Sequence, residues 1–163
     1  MTAGPSEVTI VCHKFSNPEW MASDLIGQAE HDKLAQCILI SKNRFLIDEV
    51  KNEIFKQLKE IPRSSIAKKS LMTNGILMNI GSDKKIIDVV NKIAPEHLEL
   101  NVKNYKSFVS RIKNSGSVCL GKYAVMAMTD YNVGSNHILP TNGSAKYSSG
   151  VSVNEFYKRI SYI

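Results

Sequence analysis

Long apolar runs are missing from this sequence. The longest purely apolar stretches are four or five residues, against the ~20 that a membrane-spanning helix requires. The residues after Met1, Thr-Ala-Gly-Pro-Ser, lack the basic and then apolar layout of a targeting segment, so a cytoplasmic chain with no membrane partner is expected. Cysteine is scarce as well. Cys12, Cys37 and Cys119 are an odd number at wide spacing, each inside an apolar stretch, which argues against a disulfide frame or a zinc knuckle and for buried, reduced thiols. Five prolines and nine glycines are too few for a collagen-like chain, and 43% apolar with 22% charged residues excludes intrinsic disorder. Acidic residues are the scarcer charge: 15 against 21 basic ones leave a net +6, a balance that raises the question of nucleic acid. The lysines are spread along the chain, with no aromatic interleaving and no nucleic-acid motif. Solvated faces with a weak attraction for anions are expected, and no specific nucleic-acid partner.

What is present is an alternation of short apolar strands and amphipathic helices. The 163 residues suffice for one domain, since a chain of this length buries roughly 70% of its unfolded surface. Glu7 to Cys12 (EVTIVC) is β-branched and apolar and reads as a buried strand. After Asn17-Pro18, helical spacing of Trp20, Met21, Asp24, Leu25, Gln28 and His31 predicts a helix. A second strand follows at Cys37 to Ser41, and a helix over Asn43 to Ile61 that stops at Pro62. Residues 75–80 (GILMNI) read as the third strand, Ser82 as the cap of a helix that Pro95 ends, and Leu98–Val102 and Ser117–Leu120 as strands four and five. This pattern predicts an α/β fold: a mostly parallel sheet of about five strands with helices on both faces, an incomplete Rossmann-like domain over residues 1–163. Residues 123–150 lose all periodicity and read as a functional loop. Ser152-Val153-Asn154-Glu155 has the form of a capping box and predicts a terminal helix over 151–163.

Three groups of residues bear chemistry. Gln28 and His31 lie three apart on one helix face, as two ligands for one ion must, although a helix-end histidine beside Glu30 and Asp32 is also an ordinary surface group. Glu96-His97 is a carboxylate beside an imidazole at a helix-to-strand junction, a workable acid-base pair or a solvated turn. Neighbours on a strand point to opposite faces, so both reach one substrate only if the turn at Pro95 bends the backbone. Asp130, Asn136 and His137 bring a carboxylate, an amide and an imidazole into one otherwise uncharged loop, where turn hydrogen bonds alone would also explain them.

AGPSEV at 3–8, NPEW with DLIGQAEHD at 17–32, IAPEHLEL at 93–100 and DYNVGSNHILPTNGSA at 130–145 resemble, in order and spacing, the motif series of histidinol dehydrogenases, and VSVNEFYKR at 151–159 is similar to the segment that follows. The resemblance implies a zinc-requiring homodimer that oxidises L-histidinol to L-histidine with two NAD molecules, in the last step of histidine biosynthesis. It implies Gln28, His31 and Asp130 as zinc ligands, Glu96 and His97 as the catalytic acid-base pair, and Ser6 and His137 as substrate contacts, with Gln28, His31, His97 and Asp130 also facing the substrate. Departures matter too. The family's other α/β domain with its NAD-holding residues, and the C-terminal segment that supplies a fourth zinc ligand and a substrate-binding glutamate across the dimer, are expected to be absent. His13 stands where an aspartate is usual and Thr129 where a glycine precedes the Asp-Tyr. No GxGxxG loop is present to cradle a dinucleotide. The expectation is a weakened zinc site and no turnover by the chain alone, which then needs a second copy or a complementing chain; the alternative is a non-catalytic remnant that keeps part of the zinc and histidinol site.

Overall fold

The computed structural model describes residues 4–131, 133, 134 and 136–163, with the side chain of Asp130 outside that description. Five strands, β1 (Glu7–Cys12), β2 (Gln36–Ser41), β3 (Gly75–Asn79), β4 (His97–Asn101) and β5 (Ser117–Leu120), form one sheet in the order β3-β2-β1-β4-β5. Every pairing is parallel, and the α/β expectation holds. α1 (Pro18–Ala29), α2 (Arg44–Gln57) and α3 (Ser64–Asn74) contribute to one core cluster, with Val8, Ile10 and Cys12 of β1. α4 (Asp83–Ile93) and α5 (Tyr105–Val109) build the other, around Val11, Leu98 and Leu100. The alternation along β1 is the strand period of two, and helices on both faces explain why the whole strand is buried.

α1 starts where the sequence signals it. The Asn17 side chain accepts from the Glu19 and Trp20 amides, and Pro18 occupies the first turn, where its missing N–H costs nothing. Burial of Met21, Leu25 and Ile26 stabilises its packing by roughly 1.5–3 kcal/mol per side chain. Because α1 leaves the carboxyl end of β1 and runs back along the sheet, its last turn lies at the amino end. There the Gln36 amide donates to the Ser6 carbonyl at 3.0 Å.

Four local expectations are corrected. The helix expected over 43–61 ends at Gln57, and a separate helix, α3, packs Ala67 and Ser70 inward. That buried face is too small and polar to register as apolar periodicity. β3 is an edge strand whose Ile76 and Leu77 are exposed rather than buried. The aperiodic stretch 123–150 contains a helix, α6 (Met126–Tyr131), and a 3-10 turn at Ser144–Lys146. The helix expected over 151–163 is only a 3-10 turn at Val153–Phe156, without a side-chain cap from Ser152. With Phe156 82% exposed and Ile160 63% exposed, no apolar face is packed to hold a longer helix. The three cysteines are buried and form no disulfide with one another, and burial pushes the Cys12 and Cys37 thiols up to about 12.

Candidate active site

The sheet register gathers one cluster at the amino ends of the strands. Val8 pairs with His97, so the preceding residues, Glu7 and Glu96, stand side by side. The Glu7 amide donates to Glu96 Oε2 at 2.8 Å, and the Glu96 amide donates to Glu7 Oε2 at 3.3 Å. The Asn142 amide donates to Glu7 Oε1 at 2.9 Å, tying the long loop to the same edge. Glu96 is held from its other side as well: its carbonyl accepts from Ser117 at 2.8 Å, while Pro95 accepts from Gly116 at 2.9 Å. Gly116 permits that approach, because a Cβ there would meet the Glu96 carbonyl oxygen at 2.6 Å.

The bend required at Pro95 is present. Ala94 closes α4 in the left-handed region at φ 53, donating to the Val90 carbonyl, a conformation that costs a non-glycine residue about 1 kcal/mol or more. Strand geometry begins only at His97, so Glu96 escapes the alternation that would send it to the opposite face. Glu96 Oε1 and His97 Nε2 are 3.8 Å apart, with both side chains under 10% exposed. The Glu7 amide holds one Glu96 oxygen while the other faces the imidazole. Glu7 has a raised pKa because burial disfavours its charge, an effect partly offset by the Asn142 and Glu96 amides.

Gln28 and Ser6 belong to the same edge. Gln28 is 1% exposed, and both its amide oxygen and its amide nitrogen are buried without a hydrogen-bond partner among the described residues. His31 lies just past α1 and is exposed; its amide donates to the Gln28 carbonyl at 3.3 Å. His137 is exposed as well, two residues before the buried turn at Leu139–Thr141. Asn136 is engaged within its own loop, donating to the Val151 carbonyl and accepting from the Ile138 amide, which is the turn-bonded alternative. The Asp130 side chain lies outside the described residues. Sequence reasoning missed Glu7 and Asn142 as supports, although a glutamate heading an apolar strand was a signal for the first.

A second buried acid pair supports the loop from below. Glu99 of β4 accepts from the Met126 amide at 2.7 Å and so anchors the start of α6, the helix that carries Asp130. Asp24 of α1 faces Glu99. Burial raises the pKa of both carboxyls, and the Asp24 charge raises that of Glu99 further.

The donor set can be tested against zinc. A buried carbonyl oxygen with no donor, on Gln28, fits an oxygen ligand, because a cation compensates the desolvation that no N–H relieves. His31, one turn further on, supplies an accessible imidazole nitrogen. Among the described residues no three His, Cys, Asp or Glu side chains form a group able to hold a metal, so a complete site needs the Gln28 amide and groups beyond them. A dinucleotide fits less well: the turn after β1, His13–Asn17, contains no glycine to admit a pyrophosphate against the backbone.

A sheet of five parallel strands with a buried carboxylate and imidazole side by side at a helix-to-strand junction defines an α/β protein, and a solved structure of this architecture is very similar. Histidinol dehydrogenase from Elizabethkingia anophelis superposes with a TM-score of 0.94 at 39% identity, over 98% of this chain and 37% of that one. The family model for histidinol dehydrogenase matches residues 1–163, and the chain belongs to that family. Relatives described as histidinol dehydrogenase from Pelagibacter ubique and Listeria monocytogenes are 78% and 45% identical over all 163 residues. The chain spans 38% of the length of either relative. No helix among the described residues is long and apolar enough to cross a membrane.

Proposed function

We propose that this chain is the part of a histidinol dehydrogenase that carries the acid-base pair and part of the metal and substrate constellation, acting on L-histidinol together with the rest of the family's fold. Residues 1–163 correspond in this reading to the second half of the catalytic domain, with 123–150 as its active-site segment. The observation that carries the proposal is the Glu96–His97 pair, buried, 3.8 Å apart and with Glu96 held from two sides.

His97 is placed to take the hydroxyl proton during alcohol oxidation. Glu96, with Oε2 held by the Glu7 amide, offers Oε1 as the base for the water that adds to the aldehyde. Gln28, His31 and Asp130 would hold zinc, which when bound supplies a Lewis acid that grips and polarises the substrate. Ser6 and His137 contact the substrate in this scheme. The holding energy for NAD is assigned to the remaining part of the family's fold, and the oxidations depend on it because reacting atoms misplaced by about 1 Å already cost ~10²-fold.

The test is an assay of L-histidinol oxidation with zinc and NAD, for the chain alone and mixed with a fragment carrying the family's remaining segments. Turnover is expected only in the mixture, reduced by about 10²-fold or more in Glu96→Gln and His97→Ala. Turnover by the chain alone would overturn the division of labour. Silence in both arms, with zinc-dependent histidinol binding retained, would make the chain a remnant.

A further inference from the structure

The carboxyl ends of the strands hold a second constellation, on the edge opposite Glu96 and His97. β4 alone separates the two edges by about 13 Å at ~3.3 Å per residue. The chain passes β1, β2, β3 outward and then returns to place β4 on the other side of β1. At the carboxyl ends of β1 and β4 the strand order reverses, and open α/β sheets carry ligands in the crevice at that point. Two adjoining cavities of about 270 and 520 Å³ lie there, sharing His13, Phe15 and Lys103, the larger within the volume range of small-ligand pockets.

The charge in this crevice is one-sided. The Lys14 and Lys103 ammonium groups, from the turns after β1 and β4, lie 4.8 and 4.3 Å from the centroid of the Phe15 ring. Neither has an acidic partner within ion-pair distance among the described residues. Both lysines line the larger cavity, where like charges repel each other and a bound anion reverses the sign of that interaction. Lys122 lines the smaller cavity and Lys42 the larger. The carboxylate beside them, Asp83, is already engaged by Lys42 at 2.8 Å and lies 3.8 Å from His13. The imidazole of His13, which faces both, has a lowered pKa, chiefly through burial and then through Lys42.

The turn that presents these groups is braced. Ser16 is buried; its hydroxyl bonds the Asn101 side chain at 2.9 Å and the Asn101 carbonyl at 3.1 Å, and it accepts from the His13 amide at 3.2 Å. This ties the turn after β1 to the end of β4, so the backbone that presents Lys14, Phe15 and Lys103 is held in place. We propose that the crevice at the carboxyl ends of β1 and β4 binds the phosphate group of a small phosphorylated molecule, held by Lys14 and Lys103 over Phe15.

Isothermal titration of the full chain with inorganic pyrophosphate, ADP and adenosine, at low ionic strength, tests it. Saturable 1:1 binding of pyrophosphate and ADP is expected, with none for adenosine. Lys14→Gln and Lys103→Gln should each weaken it roughly tenfold, Lys103→Arg should keep most of it, and Lys92→Gln on α4 should leave it unchanged. Circular dichroism melts establish that each variant is folded, and the two lysine variants report independently. The His13 titration, followed by NMR, should move to higher pH when pyrophosphate is bound. Binding of pyrophosphate without ADP would narrow the ligand to a free phosphate and still support the site. Absence of saturable binding, equal binding of adenosine, or an equal loss in Lys92→Gln would overturn the proposal.

Discussion

Gln28 and Glu7 show what the candidate site costs the fold. The buried amide of Gln28 lacks a partner among the described residues, a desolvation cost of about 1–3 kcal/mol. Gln28→Leu keeps the volume and removes the polar atoms, so it should raise stability by about 1 kcal/mol in zinc-free buffer. The same variant should lose the zinc-induced rise in Tm that ligation produces by mass action. Denaturant and thermal melts with and without zinc check both effects, and an intact zinc response would remove Gln28 from the ligand set. Glu7 works the other way, because each of its oxygens accepts a backbone N–H, from Glu96 or from Asn142. Glu7→Gln turns a donor toward one of those amides and should cost about 1–3 kcal/mol. Hydrogen exchange at the Glu96 and Asn142 amides should accelerate, and unchanged exchange would show that Glu7 does not hold them. The role of Glu7 was not legible from spacing, because it meets Glu96 across 89 residues and Asn142 across 135.

Among the elements, β4 and α6 are joined by a titratable link. Glu7, Asp24 and Glu99 all have folded pKa values raised above their ordinary ones by burial. Such a carboxyl binds more protons in the native state than in the unfolded one. Its stabilising effect is therefore fully present below the unfolded value and is lost as pH rises through the folded one. Urea denaturation at about pH 5 and about pH 9 should show stability falling with rising pH. Glu99→Gln, which keeps an acceptor for the Met126 amide and offers a donor to Asp24, should flatten that fall. An equally steep fall in the variant would place the pH dependence elsewhere. Legibility varied from element to element for physical reasons. α1 and α4 repeat large apolar residues at helical steps, α3 buries only Ala67 and Ser70, and α6 begins on a tertiary acceptor, Glu99. The Ser152 capping pattern is a local signal worth about 1 kcal/mol, and it cannot hold a helix that packs no apolar face.

At the scale of the molecule, apolar groups line the margins of the sheet. Ile76 and Leu77 on β3, Val118 and Leu120 on β5, and Phe156 and Ile160 beyond the last turn are all exposed. Apolar exposure along a sheet edge marks a surface that meets another chain or segment. The isolated chain should bind the dye ANS, and the fluorescence should fall when a fragment with the family's remaining segments is added, with light scattering reporting the complex. A chain alone that binds no dye and does not change on mixing would count against the complementation reading.

The sequence alone determined that five short apolar segments become strands and that the main helices fall between them, because burial periodicity, the start at Asn17-Pro18 and the stop at Pro95 are properties of neighbouring residues. It also marked Gln28, His31, Glu96 and His97 as groups with chemistry, because residue type and spacing are readable along the chain. Only the tertiary structure decided that β4 lies beside β1, which puts Glu96 against Glu7 and aims one Glu96 oxygen at His97. Strand order follows from which faces the crossover helices cover, and no local signal encodes it. The same order opened the crevice at the other end of β1 and β4, where lysines distant in the chain converge on Phe15.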